Sequence, residues 1–187
     1  MKKNKKAERH QEIKKVLENN PFFTDEELSE KFGVSVQTIR LDRMSLNIPE
    51  LRERVKSVAT KNIQKVKSLE KGEIVGELID LQLNKNAISI LQTDKSMAFA
   101  KTKIVKGHYI FAMAETLALA VIESHVALIG VANVKYRVPV KAGEKLVAKA
   151  EVTNKRGSEY FVRVWINANN DQVFRSKFRL VSIDLEV

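Results

Sequence analysis

Between residues 35 and 43 the order Ser-Val-Gln-Thr-Ile-Arg-Leu-Asp-Arg sets two kinds of side chain against each other at helical spacing. Val36 and Ile39 fall on one side of a helix, and Gln37, Thr38, Arg40 and Arg43 are left to face outward. Those outward types match what base edges present in a major groove: an arginine fork suits guanine, and a glutamine amide suits adenine. Ser35 and Thr38 suit phosphate or either base. Metal chemistry has little material. His10, His108 and His125 are scattered without HxxxH or HExxH spacing, and the chain has no cysteine. A second candidate lies far downstream, where Lys106 and Gly107 lead into a long apolar run that carries Glu115 in its middle.

Composition narrows the classes. The 187 residues are 44% hydrophobic, enough for a buried core, and the absence of cysteine rules out a disulfide framework and fits a reducing cytoplasm. The basic start "MKKNKKAERH" is not followed by the apolar stretch an export signal needs, so the chain is expected to stay cytoplasmic. The run "YIFAMAETLALAVI" is shorter than the roughly 20 residues that cross a bilayer, which points to a buried helix. A formal charge of +10 points to a polyanionic partner. Residues 1–15 hold seven Lys or Arg against Glu8 and Glu12, whereas residues 16–56 hold six against eight acids. The amino-terminal arm, with Lys5, Lys6 and Arg9, is therefore read either as a phosphate contact or as a solvated, disordered terminus.

The elements that position the first candidates are short helices. Ile13, Val16 and Leu17 predict a helix from about Glu8, which "NNP" at 19–21 stops. Thr24 and Glu27 form a capping-box pattern ahead of a second helix with Leu28 and Phe32 on one face. Gly33 suits the left-handed end of that helix, and Ser35 the cap of the next. This is the helix-turn-helix pattern, with a plain three-helix interaction module as the alternative. From 50 to 71, Leu51, Val55, Val58, Ala59, Ile63 and Val66 trace a narrow apolar stripe on a charged helix: a spacer, a dimer seam or a reversibly docking segment. Arg52, Arg54 and Lys56 at its start are candidates for phosphate or the minor groove.

After Gly72 the period changes to two. "GELIDLQL", "AISILQT", "KLVAKAEV", "YFVRVWI" and "VFRSKFRLVSI" read as strands, interrupted by one apolar helix from about His108 to Ile122. A wholly apolar helix among antiparallel strands predicts a sheet curled around it on every side. The expected class is α+β, with a DNA-reading domain at 1–49, a linker helix at 50–71 and a sheet domain at 72–187.

"GHYIFAMAETLALAVIE" followed by "YRVPVKAGEKLVAKAEV" resembles the hot-dog fold of acyl-CoA thioesterases and dehydratases. "TDEELSEKFGVSVQTIRLDRMSLNIPELRERVKSVA" resembles the amino-terminal part of the FapR family of repressors of fatty-acid and phospholipid biosynthesis. The resemblance implies a homodimer on a palindromic operator, without cofactor or catalytic residue, whose hot-dog domain binds malonyl-CoA and thereby releases DNA. It places effector contacts at Phe99, Lys106, Gly107, Glu115 and Leu128.

The residues bear this physically. Bare amides at Gly107 let a thioester oxygen or a carboxylate approach closely, and Lys106 adds positive charge there. Phe99, Phe111 and Leu128 suit the wall of an acyl or pantetheine channel, although an aromatic or Leu in an apolar run is more often plain core. Two positions depart from the family pattern, which has Arg at Lys106 and Asn at Glu115. Lysine lacks the fork that grips a carboxylate, and an ionised Glu115 repels a malonyl group. Glu115 is left with three readings: protonated in an apolar site, paired with Lys106, or the mark of a different acyl-CoA. The competing function is a thioesterase with Glu115 as general base or nucleophile.

Overall fold

The computed structural model describes residues 2–70 and 72–183, with the backbone alone at 2–5. The chain divides into two compact units, 1–58 and 59–187.

The first unit holds α1 (Lys2–Asn19), α2 (Asp25–Phe32) and α3 (Val36–Ser45). Helix α1 begins at Lys2, six residues before the periodicity predicts, so the basic stretch is helical rather than an extended arm. Periodicity registers a helix only where one face is apolar, and the first buried side chain among the described ones of α1 is Ile13; the Lys, Glu, Gln and Arg before it are good helix formers. The capping box forms as expected: Thr24 Oγ1 accepts from the Glu27 amide at 3.1 Å, and the Glu27 carboxylate accepts from the Thr24 amide at 2.8 Å. Gly33 ends α2 in the left-handed region at φ 63°, which a side chain would strain, and Ser35 caps α3 by accepting from Thr38 N. Ile13, Leu17, Leu28 and Ile39 are the buried centre, with Phe23, Phe32 and Leu46 packed around it.

Helix α4 (Leu51–Ile63) spans the boundary between units, which falls between Val58 and Ala59. The helix expected over 50–71 is shorter than its apolar stripe and stops at Ile63, short of Val66. Ile63 at its end, with Val66 and Leu69 beyond it, packs on the core of the second unit, and Asn62 Nδ2 donates to Leu78 O at 3.2 Å.

The second unit is one antiparallel sheet of β1 (Glu77–Gln82), β2 (Asn86–Gln92), β3 (Ala127–Tyr136), β4 (Lys145–Arg156), β5 (Glu159–Ala168) and β6 (Asp171–Ser182). The order is β1-β2-β4-β5-β6-β3, and α5 (Gly107–Ala120) packs on one face. Leu146, Ala148 and Ala150 of β4, Val162, Val164 and Ile166 of β5, and Phe174 and Phe178 of β6 meet the helix side. This is the α+β, hot-dog arrangement that the resemblance implies. Two expectations need correction. Periodicity did not reveal β3, because an edge strand with most of its residues exposed carries no clean alternation. Enclosure of α5 is also incomplete. Ile110, Met113, Ala114, Leu117 and Ala118 are buried, and the segment before β1 reaches Thr116 and Leu119, but Phe111, Ala112 and Glu115 remain partly open. One chain's sheet covers only part of the helix circumference.

Candidate functional sites

Helix α3 has two faces. Ile39, Asp42 and Arg43 are buried, whereas Gln37, Arg40, Leu41 and Met44 are exposed at spacings of three and four residues and form one outward stripe. Leu41 is 57% and Met44 70% exposed, a high value for large apolar side chains on a short helix. Sequence reasoning overlooked both by treating the outer face as polar, yet apolar side chains in a major groove meet thymine methyls. Thr38 is half-buried, and its hydroxyl lies 2.9 Å from that of Ser35, so these two face the start of the helix together.

Arg43 does not face outward as predicted. Its guanidinium forks onto Asp25 at 2.7 and 2.9 Å and donates to Ile48 O at 3.0 Å, so its donors are spent inside the unit. The hydrogen bond from Arg43 holds the Asp25 carboxyl below its ordinary value of 3.8 against the opposing effect of burial. Arg40 stays outside, only loosely drawn to the same carboxylate at 3.6 Å. Arg9 is likewise turned inward: burial raises the Asp42 carboxyl, but hydrogen bonds from Arg9 at 2.7 Å and His10 at 2.8 Å outweigh it and hold the group down. Arg54 is corrected most strongly, being buried with its guanidinium on three main-chain carbonyls, Pro21 at 2.9 Å and Phe23 and Pro49 at 2.5 Å. Lys56 is exposed and pairs with Glu53 at 3.0 Å, while Lys6 and Arg52 are exposed without an ion pair among the described residues. The Lys5 side chain lies outside the described residues.

In the second unit the loop before α5 is fixed by main-chain bonds from Lys106 N to Met97 O and from Val105 N to Val140 O. Phe99 N donates to Ile104 O at 2.9 Å and Ala98 bridges Val105, so the segment carrying Phe99 pairs with the one that leads into Lys106 and Gly107. Gly107, Phe111 and Glu115 then follow at four-residue steps along one face of α5. Phe111 packs edge-on against Phe178 with ring centres 6.0 Å apart. Phe99 and Leu128 are 54% and 57% exposed, so neither belongs to a plain core of the single chain. Leu128 sits on edge strand β3, opposite Val181. Glu115 is half-buried, and no ion pair joins it to Lys106 among the described residues.

Tyr136, at the end of β3, escaped sequence reasoning. A Cβ on Gly107 would lie 3.2 Å from its ring, and its hydroxyl donates to Gly107 O at 3.1 Å. The missing side chain at Gly107 is thus occupied by Tyr136, which tethers the edge strand to the start of α5. Burial pushes the Tyr136 phenol above its ordinary value. No grouping of His, Asp and Glu among the described residues can hold a metal ion, and no described helix is long and apolar enough to cross a membrane.

Comparison with known proteins agrees with both halves. Residues 9–60 match the DeoR-like helix-turn-helix domain. The sheet unit is similar to an uncharacterized protein of Pyrococcus horikoshii, with a TM-score of 0.60 and 27% identity over 65% of this chain and 93% of that one. In fold alone it is also similar to a variant of the phenylacetic acid degradation protein PaaI of Thermus thermophilus, with a TM-score of 0.52 over 58% of this chain and 95% of that one. Over its whole length the chain is similar to transcription factors. It is 59% identical to FapR of Thermoanaerobacter sp. (strain X514) over 96% of this chain and 90% of the relative. It is 48% identical to FapR of Halalkalibacterium halodurans over 94% and 95%. A helix-turn-helix unit with an exposed reading face, a hot-dog unit following it in sequence and identity of this degree make the protein a DNA-binding transcriptional regulator rather than an enzyme, a member of the FapR family.

Proposed function

We propose that the protein is a homodimeric repressor of fatty-acid and phospholipid biosynthesis genes, released from a palindromic operator by an acyl-CoA thioester, with malonyl-CoA the first candidate. One observation carries this reading. The same chain that exposes Gln37, Arg40, Leu41 and Met44 on α3 also leaves Phe99, Leu128, Val131 and Tyr136 exposed, the last three on edge strand β3. An exposed apolar edge strand needs a partner. A second copy pairing there would cover the open side of α5 and turn Phe99, Phe111 and Leu128 into the walls of a channel ending at Lys106 and Gly107.

In the free dimer, the two α3 helices enter successive major grooves, with Ser35, Gln37, Thr38 and Arg40 making contacts and Lys6 and Arg52 on phosphate. Arg43, Arg9 and Arg54 position these elements instead of touching DNA. Effector in the channel favours an arrangement in which the half-site spacing no longer fits. Linkage then requires the operator to weaken effector binding by the same factor, and a useful switch needs a coupling of at least about 1–3 kcal/mol.

The test is gel-shift competition on an operator-like palindrome with malonyl-, acetyl- and longer acyl-CoA. Release by malonyl-CoA alone supports the proposal as stated, and release by another thioester reassigns the acyl group to one compatible with Lys106 and Glu115. Retention of DNA at saturating concentrations of every thioester overturns it.

A further inference from the structure

Charge is not distributed as the amino-terminal sequence suggests. The first unit carries 13 Lys and Arg against 10 Asp and Glu, the second 20 against 13, so most of the surplus resides in the hot-dog unit. Much of it lies on the sheet face turned away from α5. Along β5, Arg163 and Trp165 alternate with the buried Val162, Val164 and Ile166, and along β6, Arg175 and Lys177 alternate with Phe174, Ser176 and Phe178.

Strand register arranges these residues in two rows. One runs Lys135, Arg175, Trp165, Lys149 across β3, β6, β5 and β4, and the next runs Asn133, Lys177, Arg163, Glu151. Adjacent strands lie about 4.8 Å apart, so Lys135 directly opposes Arg175 and Lys177 directly opposes Arg163. Like charges placed opposite each other across strands are destabilising. Even so, among the described residues no ion pair reaches Lys135, Lys149, Arg163, Arg175 or Lys177, and the two rows offer them only Glu151 as a counter-charge. Four of these cations, Lys135, Arg163, Arg175 and Lys177, line a recess of about 630 Å³ together with Asn133, Gln172 and the half-buried Trp165. No ring or cation covers that indole among the described residues.

We propose that this recess binds a phosphorylated purine nucleotide. The indole offers a stacking platform for the base, the two like-charge pairs are relieved by a diphosphate lying across them, and the amides of Asn133 and Gln172 supply donors and acceptors for the base edge or the ribose. Duplex DNA keeps its bases stacked inside the helix and would leave the indole unused. A second copy of the chain would bring the same cations together. The site is independent of the effector reading above, because the sheet separates it from α5. A free nucleotide and the nucleotide end of coenzyme A share the required chemistry.

Trp165 is the chain's only tryptophan and reports on its own site. Full-length protein is titrated with ADP, ATP, free coenzyme A, pyrophosphate and operator duplex while tryptophan emission is followed. Saturable quenching by ADP and ATP, competed by pyrophosphate, assigns a free nucleotide; saturable quenching by coenzyme A alone assigns the coenzyme. In Arg175→Ala/Lys177→Ala the midpoint shifts by about tenfold or more, as loss of charge-assisted contacts implies, and in Lys101→Ala, an exposed loop residue, it does not move. Far-ultraviolet circular dichroism confirms that each variant is folded, and calorimetry on Trp165→Phe checks the stacking contribution independently of fluorescence. The proposal is overturned by an absence of saturable quenching with all three nucleotides, by an unchanged midpoint in the double variant, or by a response to duplex alone, which would make the face a DNA-backbone contact.

Discussion

Arg54 separates two roles that its sequence position confuses. Truncation to alanine removes a buried guanidinium from the carbonyls of Pro21, Phe23 and Pro49, which tie the loop before α2 to the turn before α4. Hydrogen bonds to a charged donor contribute about 1.5–3 kcal/mol each. Three would sum to more than is lost, since carbonyls in short loops regain water once the side chain is gone. A cost of about 3 kcal/mol is a reasonable net figure, in line with other truncations of buried charged groups. A unit of this size has only about 3–9 kcal/mol to lose at 0.05–0.15 kcal/mol per residue. At about 4–8 °C per kcal/mol for small domains, the first unit of Arg54→Ala should melt at least roughly 12 °C lower. The assay is thermal circular dichroism, with operator binding measured across salt concentrations on the folded variant at low temperature. The salt slope should stay as in the parent protein. A melting curve unchanged within error, together with a salt slope shallower by about 0.9, would show that Arg54 neutralises a phosphate and would refute the structural assignment.

Arg40→Ala should weaken specific operator binding by about 1–3 kcal/mol with no change in melting, whereas Arg43→Ala should lower the melting temperature because it strands Asp25; footprinting and calorimetry on the two variants distinguish the roles. Leu41→Ala and Met44→Ala should relax preference at A·T pairs without loss of stability, read by binding-site selection. Gly107→Val pushes the Tyr136 ring away from the start of α5 and should leave DNA affinity intact while abolishing release by effector; a variant that still releases normally would place the effector elsewhere. Asp25 and Asp42 both have carboxyl pKa values held below the ordinary 3.8 in the folded unit. Their contribution is fully present above that value and lost as the pH falls through the lower folded values, so the first unit should unfold in acid, and Asp42→Asn should flatten that acid limb in a circular dichroism titration.

Elements announced by local chemistry were legible in the sequence: the Thr24–Glu27 capping box, Gly33 as helix end, Ser35 as cap and the apolar helix after Gly107. The direction of long cationic side chains was not. Arg9, Arg43 and Arg54 all read as surface charges, and each is turned inward by a partner distant in sequence: Asp42, Asp25 and the carbonyls around Pro21. Such pairings leave no periodic trace, because arginine occupies the same positions whether it meets phosphate or carboxylate. Strand β3 was hidden for the opposite reason, since an edge strand has too little buried face to alternate. At the candidate effector site the loop–helix junction could be read from Lys106-Gly107, but the use of Gly107 by Tyr136 depends on a contact 29 residues away.

The division of labour across α3 has an evolutionary corollary. Ile39, Asp42 and Arg43 anchor the helix from within, whereas Gln37, Leu41 and Met44 lie outside and Arg40 reaches inward only through a loose 3.6 Å pairing with Asp25. Target preference can therefore be retuned by changes on the outer stripe alone, without a toll on folding. Related regulators that share this scaffold are free to diverge in the sequences they read while their interiors stay fixed.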